Sequence, residues 1–337
     1  MKHLVVGAGA TFAEAIALGN PVETCPPLIR DFARKTWADY SPHPFLEVYL
    51  RQIGYEELGR DPRILFFELE DQGITNIERF MEFVWENRNS NFKVSDDPPA
   101  GYISGLRITE AGAQTSQVST PFWDDLLYNG IGNPLSLSMI QCFHENGIGW
   151  KSLDLTKSVA SRFERGDLIL NLNYDTIFEL ALEQLACPFV YAPGKANLEQ
   201  LLVCKPHGSL NMVANERGFT FGQPGWLGLP QPNGYRSFTG FMPPRLNKRY
   251  TQHPIAKMII DSVRYRHPGQ VVMWGVGLTE SDADLIALYS SWIRRSGSID
   301  VINPSADVAT KAKALFGCCV RHFTDVKGWL NHSFQSP

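Results

Sequence analysis

The chain has 337 residues, enough for one large domain or for a nucleotide-binding core that carries a second lobe. A hydrophobic content of 44% and a charged content of 20% are those of a globular protein and exclude a disordered one. The formal net charge of -4 gives no basic footprint, so direct nucleic-acid binding is not expected.

The chain opens on a strand, a tight turn and a helix. Residues 3–7 form a short β-rich run that ends in glycine, and residues 12–18 have helical spacing and composition. Between them the turn reads Gly7, Ala8, Gly9, Ala10 and Thr11. Glycine permits close approach of a phosphate, and the following helix offers free N–H groups and a positive dipole end to an anion. The turn therefore predicts phosphate binding, with backbone packing as the alternative.

A mostly helical segment follows. Helices are predicted over residues 28–37, 44–53, 76–87 and 134–146, and no interior strand is predicted between residues 26 and 165. An NAD dehydrogenase would place an acidic residue at the end of a second strand, about 20 residues after the glycine turn. Here Asp31 lies in a predicted helix, which disfavours hydride transfer. We expect residues 26–165 to form a helical insertion lobe.

Strands and helices alternate in the rest of the chain. Strands are predicted over residues 167–173, 188–191, 201–204, 271–274, 299–303 and 319–322, and helices over 176–186, 253–266, 282–295 and 306–316. Residues 218–244 are rich in glycine and proline and predict a long loop, either functional or a plain surface insertion. The alternation predicts an α/β fold with a doubly wound, mostly parallel, Rossmann-like sheet, formed by residues 1–25 and 166–337.

Polar residues follow two of the predicted strands. Open α/β sheets bind ligands at the carboxyl ends of their strands, where Asn171, Asn173 and Asp175 lie. Asn173 could hold a water or a ribose hydroxyl, whereas turn formation is the alternative for both asparagines. Asp175 could instead cap the next helix. His207 follows another apolar strand, where its imidazole could accept a proton from a ribose hydroxyl or from water.

The order of these motifs resembles that of the sirtuin family. The resemblance is carried by Gly7-Ala8-Gly9, Asn173-Tyr174-Asp175, His207-Gly208-Ser209, Gly275-Val276-Gly277-Leu278 and Ile302-Asn303. These are short motifs, scattered over the whole chain. The four-cysteine zinc module of the family's protein deacylases is absent, and residues 30–34 match its Pro-Asp-Phe-Arg segment only loosely. The Asn-Tyr-Asp form and the helical insertion look more like the sirtuin-like NAD hydrolases of bacterial antiphage defence.

The resemblance implies an NAD+ hydrolase that releases nicotinamide and ADP-ribose through an oxocarbenium-like state. It implies that Asn173 positions the attacking water, that His207 takes a proton from the ribose or that water, and that Asp175 orients the site. NAD is then the substrate. The remaining expected NAD-binding residues are Gly7, Ala8, Gly9, Ala10 and Thr11 for the pyrophosphate, Gly277 and Asn303 for the adenosine half, and Asn171, Gly208, Gly275 and Leu278 around them.

The cysteine spacing and the length of the apolar stretches indicate whether the protein binds a metal and in which compartment it works. Six cysteines are scattered without a CxxC pair, so no metal site is expected. The neighbours Cys318 and Cys319 would point to opposite faces of a strand, which favours free thiols and a reducing compartment. No stretch approaches the roughly 18 apolar residues of a membrane span. We therefore expect a cytoplasmic protein.

Partners and alternatives follow from the resemblance. It implies NAD depletion in antiphage defence, a homo-oligomer, and activation by assembly or by a separately encoded partner such as a motor ATPase. Three alternatives stay open: a sirtuin-type protein deacylase or ADP-ribosyltransferase, a non-catalytic nucleotide sensor and, last, a dehydrogenase.

Overall fold

The computed structural model describes residues 1–38, 40–42, 45–55, 59–86, 126–145, 148–194, 199–215, 218–227, 242–250 and 253–333. The strands are β1 (Lys2–Val6), β2 (His144–Glu145), β3 (Gly149–Trp150), β4 (Leu168–Asn171), β5 (Phe189–Tyr191), β6 (Leu201–Cys204), β7 (Met212–Asn215), β8 (Gly218–Phe221), β9 (Gln270–Trp274), β10 (Ser298–Ile302) and β11 (Cys319–Phe323). The helices are α1 (Ala8–Ala17), α2 (Phe32–Thr36), α3 (Phe45–Gln52), α4 (Pro62–Asp71), α5 (Ile77–Glu86), α6 (Asn133–Phe143), α7 (Asp154–Ala160), α8 (Ile177–Gln184), α9 (Pro254–Asp261), α10 (Ala283–Ser296), α11 (Ala306–Phe316) and α12 (Val326–Ser333).

A seven-stranded sheet forms the centre of the molecule. Its order is β11-β10-β9-β1-β4-β6-β5, and all neighbouring strands are parallel. The predicted α/β fold with a parallel, Rossmann-like sheet is confirmed, while its sirtuin-like form stays a prediction. From β1 the chain continues to β4 on one side and later to β9 on the other, so the strand order reverses at β1. Parallel sheets bind ligands at such a switch point, outside the carboxyl ends of the strands.

Helices cover both faces of the sheet. Alternate residues of a strand point to opposite faces, and accordingly Val5 packs on one side of β1 while Leu4 and Val6 pack on the other. The first face is covered by α9, α10 and α11, and Trp292 of α10 is fully buried in its core. The second is covered by α1, α7, α8 and α12. Each fully buried large apolar side chain contributes about 1.5–3 kcal/mol to this packing.

A third hydrophobic cluster joins helices α2 to α6. The ring centroid of Trp37 lies 5.3 Å from those of both Phe66 and Phe80, and its indole nitrogen donates to the carbonyl oxygen of Gly130 at 3.1 Å. The cluster also includes Ile177 of α8, so these helices pack against a helix that covers the sheet. Helix α7 lies within the segment 26–165 but packs on the sheet. The division into a core and an insertion lobe stays a prediction.

Local structure departs from the sequence-based predictions in several places. Strands β2 and β3 form a hairpin within the segment where none was expected. Strand β8 pairs with β7, so the loop predicted for residues 218–244 is wrong over residues 218–221. Tyr235 and Phe241 of that loop lie outside the described residues. Helix α2 is shorter than predicted because Leu28 donates its N–H to the carboxylate of Asp31 at 2.7 Å, which closes a turn instead.

His3 is an unusual member of the core. It is fully buried on β1, and neither ring nitrogen has a hydrogen-bond partner within the described part of the chain. The ring lies edge-on to Trp292, with centroids 4.4 Å apart. Burial, aided by the positive charge of Arg266, lowers the pKa of His3 to about 3. Such an unpartnered buried polar group costs about 1–3 kcal/mol.

Replacing His3 with leucine is therefore expected to raise the free energy of unfolding by about 1–3 kcal/mol at neutral pH. Because its folded pKa lies below its ordinary value, the unfolded chain binds the extra proton, and the wild type loses stability as pH falls from 6.5 towards 3. The gain should thus grow on acidification. Urea unfolding at pH 7 and 5 measures it, with the exposed His332→Leu as control; a loss of stability in His3→Leu would contradict the prediction.

Candidate functional site

The glycine turn lies at the switch point, pressed against the loop after β9. Gly7 donates its N–H to the carbonyl oxygen of Trp274 at 2.9 Å, and Gly9 donates to that of Gly275 at 3.0 Å. A Cβ at Gly7 would lie 2.5 Å from the carbonyl oxygen of Gly275. Close backbone packing therefore requires these glycines, which is the alternative left open above. The first turn of α1 carries no acidic residue, so its positive dipole end stays available at the exposed Ala8.

Asn173 is fixed beside this turn. Its side-chain amide donates to the carbonyl oxygen of Gly7 at 3.1 Å and to the hydroxyl of Thr11 at 2.9 Å, and its backbone N–H donates to the amide oxygen of Asn171 at 3.0 Å. The amide oxygen of Asn173 receives no hydrogen bond from any residue that the structure describes. That oxygen is the acceptor left for a water or a hydroxyl group.

A buried charged network lies behind Asn173. Lys205 and Glu179 are both fully buried and form an ion pair at 3.1 Å. Asn171, also fully buried, donates its amide to both carboxylate oxygens of Glu179 at 3.1 Å. Asp175 accepts from the N–H of Ile177 at 3.0 Å and from Thr11 at 2.9 Å. Asn171 and Asp175 therefore brace the strand end and the start of α8, and Ala10 and Thr11 are buried with them.

Burial shifts the pKa of the two carboxyl groups in this network. It raises the pKa of both Asp175 and Glu179, and the positive charge of Lys205 opposes the shift in each case. Lys205 also donates to the carbonyl oxygen of Asp175. The cation thus favours the charged form of both buried carboxyl groups.

His207 lies on the neighbouring strand end, after β6. Its Nδ1 lies 2.7 Å from the carbonyl oxygen of Leu172, the residue before Asn173, and its Nε2 meets the hydroxyl of Tyr250. Burial, followed by the positive charge of Lys248, lowers the pKa of His207 to about 4, against an opposing effect of Asp282. The ring is therefore neutral at physiological pH. Gly208, at a φ of +88°, provides the turn that leads the chain away.

The remaining expected binding residues form the loops after β9 and β10. Leu278 adopts a φ of +50°, a left-handed conformation that costs about 1 kcal/mol or more for a residue other than glycine. Asn303 donates its amide to the carbonyl oxygen of Val276 at 3.2 Å and accepts from the N–H of Ser305 at 2.9 Å, so its side chain ties the two loops together. Gly277, in the loop after β9, is exposed.

Several residues of the site were missed from the sequence. Lys248 and Tyr250, from one irregular segment, and Asp282, which precedes α10, join His207 in one hydrogen-bonded network. Asp282 begins a predicted helix, and that position does not indicate a contact with His207. Lys205 is another residue of the site that the sequence analysis does not identify. Its place directly after the apolar strand β6 is a sequence signal for a buried lysine.

Comparisons with known proteins add no family. No protein-family model matches the chain, and no curated protein matches it either. Among the described residues, no group of three or more histidine, cysteine, aspartate or glutamate side chains could hold a metal ion. No helix in the described ranges is long and apolar enough to cross a membrane. The sirtuin resemblance therefore stays an inference from short motifs.

Proposed function

We propose that the protein is an NAD+ glycohydrolase that cleaves the bond between nicotinamide and ribose. The observation that carries the proposal is the amide oxygen of Asn173, which stays without a partner in the described part of the chain beside the glycine turn of a topological switch point. His207 stands on the adjacent strand end, joined through the carbonyl of Leu172. Dinucleotides bind at this position in Rossmann-like sheets.

The chemistry of the reaction suits these groups. Departure of nicotinamide neutralises its positive charge, so the leaving group needs little acid catalysis. The protein has to orient a water and accept a proton. Asn173 offers a fixed acceptor for the water or a ribose hydroxyl. The neutral ring of His207 carries one basic nitrogen, although both ring nitrogens have partners in this structure. The start of α1, which has no acidic residue in its first turn and exposes Ala8, suits the pyrophosphate.

Nicotinamide release from NAD+ tests the proposal. We expect Asn173→Ala and His207→Ala each to lower kcat/KM by about 100-fold, the usual contribution of one positioned polar or proton-transferring group. The exposed His332→Gln should release nicotinamide at the wild-type rate. Equal rates in all four proteins would contradict the proposed roles.

A second candidate is a non-catalytic nucleotide sensor. It is favoured by one observation, that both ring nitrogens of His207 already have partners within the protein. Isothermal titration separates the two candidates. Tight NAD+ binding without nicotinamide release, unchanged in His207→Ala, would support the sensor. Antiphage defence, the motor ATPase or other partner, the homo-oligomer and the cytoplasmic location stay predictions from the resemblance.

A further inference from the structure

Residues 242–250 cross the carboxyl edge of the sheet next to His207, and we call them the crossing segment. Met242 donates its N–H to the carbonyl oxygen of His207 at 2.9 Å, and its own carbonyl accepts from the hydroxyl of Tyr174. Lys248 donates its N–H to the carbonyl oxygen of Ser281 at 3.3 Å. Six residues of the crossing segment are buried: Met242, Pro243, Pro244, Arg245, Lys248 and Tyr250.

Tyr250 covers the imidazole of His207. The two rings are stacked, with centroids 5.6 Å apart and an angle of 18° between their planes. A carbonyl oxygen can only accept, so the Nδ1 that faces Leu172 carries the hydrogen of the neutral ring. The lone pair then lies on Nε2, where the hydroxyl of Tyr250 donates to it. In this arrangement neither ring nitrogen is free to meet a substrate.

The hydroxyl of Tyr250 has a second acceptor. Asp282 lies 3.1 Å away, and its carboxylate is held by Lys248 at 3.4 Å and by the hydroxyl of Thr279 at 3.0 Å. One hydroxyl proton can serve only one acceptor at a time. Donation to Asp282 therefore releases Nε2 of His207, and the two partners of Tyr250 compete for it.

The crossing segment is also anchored on helix α5. Lys248 forms an ion pair with Glu78 at 2.7 Å, and Arg245 forms one with Glu82 at 3.6 Å. The guanidinium of Arg245 lies over the ring of Trp85, 4.2 Å from its centroid. Glu82 additionally accepts the backbone N–H of Asn247 at 3.0 Å. The position of Tyr250 thus depends on contacts with a helix outside the sheet.

We propose that Tyr250 is a positioning residue for His207, which withholds the basic Nε2 from the crevice until the crossing segment moves away from helix α5. The proposal rests on the proposed NAD+ cleavage, because it concerns the availability of the base in that reaction. It assigns to α5 a control over the site, although α5 contributes no group to the reaction itself.

Tyr250→Phe tests the proposal, with Tyr289→Phe as the matched control. Tyr289 is also a buried tyrosine, but its hydroxyl has no partner within the described residues. Tyr250→Phe keeps the stacked ring and removes the hydroxyl, with its hydrogen bonds to Nε2 of His207 and to Asp282. We expect the ¹⁵N chemical shift of His207 Nε2 to move and nicotinamide release to rise about 10-fold, the factor that one hydrogen bond is worth. Tyr289→Phe should change neither.

A second variant acts on the anchor. Glu82→Ala removes the acceptor of Asn247 and the partner of Arg245, and it leaves His207 and Tyr250 intact. It should raise nicotinamide release in the same direction, with circular dichroism confirming the fold. An unchanged Nε2 chemical shift in Tyr250→Phe would overturn the proposal. If the wild type releases nicotinamide measurably, a moved shift without faster release by Tyr250→Phe would overturn it too. A moved shift with no cleavage by any variant would support the positioning of His207 and contradict NAD+ cleavage.

Discussion

Replacing Lys205 with methionine is expected to lower the free energy of unfolding by about 4 kcal/mol, because removing one partner of a buried ion pair leaves an uncompensated charge. Lys205 and Glu179 have no exposed side-chain surface, and 3.1 Å separates their charged atoms. Without the cation, Glu179 must either stay charged in the interior or bind a proton. Both outcomes destabilise the native state at neutral pH.

Urea unfolding followed by circular dichroism measures this loss. The matched control is Lys257→Met, which breaks an exposed ion pair with Asp261 at 2.7 Å and should cost less than about 1 kcal/mol. Lys205→Met combined with Glu179→Gln should recover part of the loss, since the carboxylate that Lys205 pairs with is then replaced by a neutral amide. If Lys205→Met and Lys257→Met cost the same, Glu179 carries no charge in the native protein.

Replacing Gly275 with alanine is expected to cost about 4 kcal/mol, as the sum of backbone strain and overpacking. Its φ is +66°, and an added Cβ would lie 2.1 Å from the backbone nitrogen of Ala10. That nitrogen is a backbone atom in the first turn of α1, so no side-chain rotation can relieve the contact. The β1–α1 turn and the loop after β9 must therefore separate.

Gly297→Ala is the control for this substitution. Gly297 has a similar φ of +71°, but nothing lies within 4 Å of an added Cβ, so we expect only the conformational cost of about 1 kcal/mol. The difference between the two losses, again from urea unfolding, isolates the contact with α1. Equal losses would show that the loop after β9 relaxes without cost.

Much of the sheet was predictable because local signals and tertiary packing agree there. The four residues of β6 are continuously apolar and all buried, as a strand covered on both faces requires. Helix α11 has the predicted bounds because Ser305 caps its start and Gly317, in the left-handed conformation, ends it. Helix α2 was overestimated because a side-chain turn at Asp31 competes with the helix, which periodicity does not reveal.

The site was predictable only where it follows strand ends. Asn173 and His207 stand there, so the parallel topology brings them together. The partners of His207 obey no such rule. Tyr250 belongs to an irregular segment, and Glu78 reaches the network from a helix that is distant in sequence. Such contacts depend on tertiary packing, which residue spacing does not encode.

The interlocked backbones of Gly7, Gly9 and Gly275 have a consequence for homologous sequences. Each of these positions excludes a side chain because of the backbone at another, so a substitution at one cannot be compensated by a change at the next. Related sequences should keep all three glycines together or lose the whole turn. Their shared conservation would then report how two loops pack, and by itself would not diagnose a dinucleotide ligand.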